Sequence, residues 1–361
     1  MNMYGNNVIK KIAIGIIGAL GLACIVLAAG FFAVKWHWTD TEGIIDGNEN
    51  EFTKLARRIE LSREDVRFQD GNRCKALVIG EQSGVNAQLM MDAYAKTHSA
   101  ELLANMVEAA LLRLTDDRKR TLASCDDGTI DGTVERQRWN MDAPNIFPWM
   151  NTEDWQTFKA AVAKDKQVIN RVSVETGVEP RLIVAQVVAE QLRLFNSDRD
   201  VYKKFFAPLK MLGSETKFSL GVAGVKEETA INIENNLKDR QSPYYPGAQY
   251  EQLLDFKTSD IETERYDRLT DEHDHYYAYL YAALYLKEVM QQWKAAGYNI
   301  SHRPEILSTL YNIGFNHSKP NANPAVGGAQ IEIGGAKYSF GSLGYEFYYS
   351  GEMMDEFPYG Q

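Results

Sequence analysis

The sequence predicts a mainly α-helical protein with one small β-hairpin, set behind a single N-terminal membrane-spanning helix. Three observations predict it. Apolar residues recur at three- and four-residue spacing through 53–120 and again from Asn151 onward, the signature of helices with one buried face. The stretch AQIEIGGAKYSF instead alternates around Gly334–Gly335, as a hairpin does. Ile12–Val34 is an apolar run of 23 residues without a charge.

Taken in order, residues 1–11 form a short tail ending in Lys10 and Lys11, and 12–34 form the anchor. At about 1.5 Å rise per residue that run crosses a hydrocarbon core of roughly 30 Å. The preceding lysines orient the tail toward the cytoplasm and the rest of the chain outside. The expected location is therefore the cytoplasmic membrane, single-pass, with the globular part on the periplasmic or extracytoplasmic side. A cleaved signal peptide is the rival reading, but its apolar region normally spans about 7–15 residues. Residues 35–52 supply interfacial aromatics (KWHW) and then a polar linker, TDTEGIIDGNENEF.

Residues 53–150 read as a helical membrane-proximal region. Its clearest element is NAQLMMDAYAKTHSAELLANMVEAALLRL, and the turn cluster DDGTIDGT at 126–133 closes that helical run. Nothing in this region suggests chemistry, so it is expected to serve packing or a cell-envelope machinery partner. Residues 151–361 form the second, larger domain. Its best-defined helix is TDEHDHYYAYLYAALYLKEVMQQWKAAG, with Thr270 as the expected cap, acids in the first turn and Gly297 as the stop. PEILSTLYNIGF is a shorter helix.

Net charge is −10, with no basic stripe, so no nucleic-acid partner is expected. Cys74 and Cys125 are the cysteines outside the anchor run. They are read equally well as a disulfide in an oxidising compartment or as two buried thiols. DEHDH places His273 and His275 two residues apart, roughly 200° around a helix, which does not suit a zinc helix. No metal and no cofactor are expected.

The informative segment is ETGVEPRLIVAQVVAEQLRLF. Pro180 suits the first helical turn, where its missing N–H is no loss. Gln186, Glu190 and Arg193 then fall within about 60° of one another on an otherwise apolar helix, which suggests a buried element with one side open to a cleft. By spacing alone, Glu190 and Arg193 are also an ordinary i,i+3 surface pair worth a few tenths of a kcal/mol.

Pro-x-Leu-Ile-x-Ala with Glu ten residues after the proline resembles the catalytic helix of the lysozyme-like lytic transglycosylases. FSLGVAGVKEETA resembles that family's Ser-x-Gly loop and following Thr-Ala helix start, and PEILSTLYNIGF resembles its Ala-Tyr-Asn-x-Gly segment. The three pieces occur in the family's order across 175–315. The resemblance implies a lysozyme-like α+β catalytic domain over 151–361, with Glu190 as catalytic acid/base. It implies substrate-binding roles for Ser219, Gly221 and Glu227 in the loop, and for Tyr311 and Asn312 near the carboxyl. The chain departs from the pattern in having Gln191 where the family has Ser, and Gly224 or Glu227 where it has a loop glutamine.

Glycosidic cleavage needs a proton delivered to the leaving oxygen, and apolar surroundings favour the protonated carboxyl that does this. The apolar residues Ile183, Val187 and Leu194 are expected around Glu190. What the resemblance implies is one carboxyl used twice on the glycan strand of peptidoglycan, leaving a 1,6-anhydro-muramic end. Asp198, Asp200, Glu215, Glu227 and Glu228 are the loop acids from which a hydrolytic muramidase would recruit a second carboxylate. A non-catalytic peptidoglycan-binding or scaffold protein is the rival from a different class. Tyr276, Tyr277, Tyr279, Tyr281 and Tyr285 occupy more than one helix face and are expected mostly to pack.

Overall fold

The computed structural model describes residues 66–126, 139–195 and 219–360. The expected tail 1–11, anchor 12–34 and linker 35–52 lie outside the described residues, as do all but the first residue of the turn cluster and the loop acids Asp198, Asp200 and Glu215. Among the described residues no helix is long and apolar enough to cross a membrane. The described chain is mainly helical, with two two-stranded antiparallel hairpins.

The N-terminal helices are α1 (Val66–Ile79), α2 (Gly84–Thr97), α3 (Ala100–Leu111) and α4 (Asp116–Ala123). The stretch read as one element over 86–114 is two helices. His98 turns the chain with φ +52, and the Ser99 side chain accepts from the Leu102 N–H at 3.1 Å to start α3. A serine satisfying an orphan donor is a stronger local signal than the continuing apolar period. Cys74 in α1 and Cys125 just past α4 form a disulfide, which resolves the alternative left open by parity. It staples the first helix to the end of the fourth.

Next come α5 (Glu153–Val162), α6 (Lys166–Thr176) and α7 (Pro180–Phe195). Strands β1 (Ser219–Leu220) and β2 (Val225–Lys226) form the first hairpin, followed by α8 (Glu227–Lys238) and α9 (Ile261–Thr270). The long helix α10 runs Tyr276–Ala295, so its expected start at Thr270 needs correction. Thr270 instead ends α9, donating its hydroxyl to the Tyr266 carbonyl. The acids of DEHDH are spent on a turn: Asp271 accepts from the N–H groups of His273 and Asp274, and Asp274 from that of Tyr276. Short acidic side chains compete with helix by bonding nearby backbone donors. The far end is as expected. Gly297 has φ +91, its N–H donates to Lys294, and the Tyr298 N–H donates to Trp293, a glycine-based helix stop.

Helix α11 (Pro304–Ile313) leads to β3 (Gln330–Ile333) and β4 (Ala336–Ser339), and α12 (Phe340–Tyr349) follows. Ile333 pairs with Ala336 across the two-residue turn Gly334–Gly335, both at positive φ, so the hairpin read from the alternation is present. The tyrosines of α10 pack as expected: Tyr279, Tyr281 and Tyr285 are buried, donating to Asp165, Glu234 and the Leu310 carbonyl.

The centre of the molecule is α7, covered by α12, α6, α5, α11 and α10. The N-terminal helices dock on α12 as well. Glu346, fully buried there, accepts from Arg113 Nε at 2.6 Å and Trp149 Nε1 at 2.7 Å. Burial pushes the Glu346 carboxyl up, while Arg113 and Trp149 oppose that shift. Residues on both sides of the expected boundary at 150 thus share one core.

Helices α11 and α12 approach closely because two glycines face two hydroxyls. A Cβ on Gly344 would lie 2.0 Å from Ser308 Oγ, and one on Gly341 2.4 Å from Thr309 Oγ1. Gly344→Ala is expected to separate these helices and cost about 2 kcal/mol, read as a lower urea midpoint with an unchanged slope.

Candidate active site around Glu190

Helix α7 is apolar almost all round. Ile183, Val184, Ala185, Val188, Ala189 and Leu192 are fully buried, and Val187 nearly so. The Leu194 side chain lies outside the described residues. Such a helix belongs in the middle of a domain rather than on its surface. The polar stripe is present but is not open to solvent at its first two members, contrary to expectation. Gln186 is fully buried, with its amide donating back to the Leu182 carbonyl at 3.1 Å, and Glu190 is 3% exposed. The elements packed around α7 cover that side too.

Two groups meet the Glu190 carboxyl. Arg193 grips it through both oxygens: Nε donates to Oε2 at 3.2 Å and Nη2 donates to Oε1. The i,i+3 pairing read from spacing therefore exists, with its acid buried. The second group is the turn of the first hairpin. β1 and β2 pair as Ser219↔Lys226 and Leu220↔Val225, joined through Gly221–Gly224, and both turn glycines have positive φ. A Cβ on Gly224 would fall 2.3 Å from Glu190 Cδ and Oε1, and one on Gly221 would fall 1.8 Å from the Leu269 carbonyl oxygen. Glycine is required at both positions by conformation and by space.

Two side chains hold this turn against α7. Gln191 Nε2 donates to the Val222 carbonyl at 2.7 Å, and Tyr311 Oη donates to the Ala223 carbonyl at 2.7 Å. Tyr311 sits in the last turn of α11 with its ring edge-on to Tyr285 and stacked on Phe340. Burial first, and then the nearby charge of Glu190, push its hydroxyl well above the ordinary phenol range, so it remains a donor. In this structure its proton goes to the turn. Asn312 Oδ1 accepts from the Ala329 N–H at 2.7 Å, at the approach to β3.

The structure thus brings Gly224 against Glu190 and Tyr311 onto Ala223 of the same turn; Gly221, at the turn's other end, lies against the Leu269 carbonyl, and Ser219 pairs with Lys226 at its base. Of the two residues aligned with the family's loop glutamine, Gly224 is the one against the carboxyl. Glu227 opens α8 and is drawn toward Arg265, its Oε1 3.6 Å from Nη1, while the same guanidinium is held by Glu234 at 2.7 Å twice. Glu228 in the same turn faces solvent. Sequence reasoning missed Gln191 as a site residue. Its signal was its place beside Glu190, where it stood only as a departure from the family pattern.

Gly224→Ala adds a methyl where the carboxyl lies, at a φ that alanine adopts with strain. It is expected to displace Glu190 or the turn at a cost of about 1–2 kcal/mol, while the rest of the fold persists. A crystal structure of the variant, with a chemical melt beside the parent, checks both.

Chemically, the arrangement offers one buried carboxyl, a guanidinium on it, and a backbone turn pinned in place by an amide and a phenol. Fold and site define a mainly helical protein with a buried acid set against a glycine turn. No family model, curated protein or solved structure matches the chain.

Proposed function

We propose that the chain is a membrane-anchored peptidoglycan lytic transglycosylase with a lysozyme-like catalytic domain, in which Glu190 is the general acid and base. The observation that supports this reading is convergence. Three segments identified separately along the sequence, at Glu190, at 219–224 and at Tyr311, meet around one buried carboxyl. Chance occurrences of such short motifs have no reason to meet.

In the proposed reaction Glu190 gives a proton to the glycosidic oxygen between N-acetylmuramic acid and N-acetylglucosamine as the C1–O bond breaks. The C6 hydroxyl of the same muramic residue attacks C1, and its proton returns to Glu190. Atoms balance without water, and the intramolecular attack gains from proximity. The hairpin turn, held by Gln191 and Tyr311, gives the carboxyl a rigid wall. Anchorage through 12–34 puts this site on the side of the membrane where peptidoglycan lies, and the Cys74–Cys125 disulfide suits an oxidising compartment. The helices within 53–150 remain the surface proposed for an envelope-machinery partner.

A second reading has its own supporting observation. Arg193 occupies both oxygens of Glu190, as suits a non-catalytic, peptidoglycan-binding scaffold in which the pair is structural. The deciding experiment is mass spectrometry of purified peptidoglycan digested by residues 39–361. Anhydro-muropeptides support the transglycosylase. Reducing-end products would mean hydrolysis with a second acid, and uncut glycan bound by a folded protein would mean the scaffold.

A further inference from the structure

Arg113, whose guanidinium meets the buried Glu346 of α12, sits in the connection between α3 and α4. Little holds that connection from the α4 side. Helix α4 is eight residues long, and Leu122 is its one buried residue. Helices so short have little stability of their own. The end of α4 is fastened to α1 by the Cys74–Cys125 disulfide and by Lys75, which pairs with an exposed Asp126 at 2.8 Å. An ion pair with an exposed partner is weak, so the disulfide is the stronger tie. Two polar routes lead from these stapled helices to α7. On the first, Arg113 meets Glu346, and α12 packs along α7. On the second, Asn86 of α2 donates to Asn145 at 3.1 Å, Asn145 donates to Glu352 at 3.2 Å, and the Glu352 carbonyl accepts from Arg181 of α7 at 2.7 Å. Asn86 and Arg113 both lie within the loop that the disulfide closes, across a sequence separation of 51. Leu89 and Met106 of the same loop press on Gly351, just past α12, where a Cβ would fall 2.8 and 3.0 Å from them.

We propose that the Cys74–Cys125 disulfide is an oxidation checkpoint on the core around Glu190: until it forms, Arg113 is not held on Glu346, α12 is not seated on α7, and the site is not assembled. The chemistry is thiol–disulfide exchange. The two thiols lose two electrons and two protons to a disulfide of the compartment, which is reduced to two thiols as the Cys74–Cys125 bond forms. Both cysteines are buried once paired, so the step belongs to assembly of the helices and not to later cycling. Without Arg113, the fully buried Glu346 carboxyl keeps only the Trp149 donor among the described residues. A buried carboxyl stripped of its counter-ion is strongly destabilising. A chain folded where thiols stay reduced therefore carries no assembled site.

The test compares the full chain with Cys74→Ala/Cys125→Ala and with Arg113→Met, whose disulfide is intact. Hydrogen exchange followed by mass spectrometry reads the seating of α12 without reference to activity. Release of anhydro-muropeptides from soluble, uncrosslinked glycan strands reads the site, and this second readout rests on Glu190 as the general acid. In the double variant, the amides of 340–349 are expected to exchange at least about tenfold faster than in the parent, and release to fall at least about fivefold. Arg113→Met reproduces the faster exchange of 340–349 while 66–79 stays protected. If the double variant fails to fold, Arg113→Met carries the comparison alone. Faster exchange confined to 66–126 in the double variant, or release at the parent's rate, overturns the checkpoint and leaves the enzyme standing. Arg113→Met with 340–349 as protected as in the parent does the same. A parent that releases nothing, while 340–349 opens in every folded variant, leaves the checkpoint standing and overturns the enzyme.

Discussion

Glu190→Gln in the full chain is expected to lower the release of anhydro-muropeptides by at least about a hundredfold, the usual share of general acid–base catalysis. The substitution is close to isosteric. Glutamine keeps the methylene stem packed against the Gly224 turn, and keeps one oxygen to accept from Arg193. What it loses is the ability to give up a proton and take it back. The fold should therefore survive, with circular dichroism and melting close to the parent's, and the loss should fall on kcat. Glu228→Gln is the control: this acid is exposed in the first turn of α8, and its removal should leave the rate unchanged. If Glu190→Gln retained the parent's rate, the assignment of the acid would be wrong whatever the products.

The largest expected effect on stability comes from Arg181. Its guanidinium is fully buried and faces carbonyls at the C-terminal end of α12 and beyond. Nε donates to the Tyr348 carbonyl, Nη1 to Glu352 and Nη2 to Phe347, each at 2.7 Å, with a longer bond to Phe357 at 3.4 Å. Phe347 and Tyr359 lie against its face at 4.7 and 4.5 Å. Helices leave their last carbonyls unsatisfied, and here one side chain from the first turn of α7 satisfies them for α12. Arg181→Met keeps the stem and removes every guanidinium donor; the Phe347 carbonyl still accepts from Ser350, but those of Tyr348 and Glu352 lose the donors they have here, at about 1–3 kcal/mol each. The net loss should be at least about 3 kcal/mol, or roughly 4 °C in melting temperature for a chain of this size. Arg181→Lys should recover only part, since an ammonium cannot span the same carbonyls. Differential scanning calorimetry of the three proteins decides it; a melting temperature within a degree or two of the parent's in Arg181→Met would show that those carbonyls find other partners.

These residues mark how far the sequence could be read. The periodicity of α7, its proline start, the Gly334–Gly335 hairpin and the glycine stop of α10 are all short-range features, and each was legible. Where two short-range signals competed, the polar one prevailed: Ser99 divided the N-terminal element, and the aspartates of DEHDH delayed α10 to Tyr276. Glu190 was legible as an anomaly, a charge on an apolar helix, and so was its spacing to Arg193. Which neighbour would take the proton of Tyr311 was not, because Ala223 is 88 residues away in sequence. Nor did anything in PRLIV mark Arg181 as the cap of a helix that begins beyond residue 339. The sequence by itself determined the helical class, the positions of α7 and α11, the hairpin turn and Glu190 as the acid to test, since those depend on contacts within a few residues. Only the tertiary structure decided the disulfide, the closed polar stripe, the wall at Gly224 and the grip of Arg193 on a buried carboxyl. Burial and pairing of charge are set by whatever distant segments the fold brings against a helix, and a linear pattern carries no record of them.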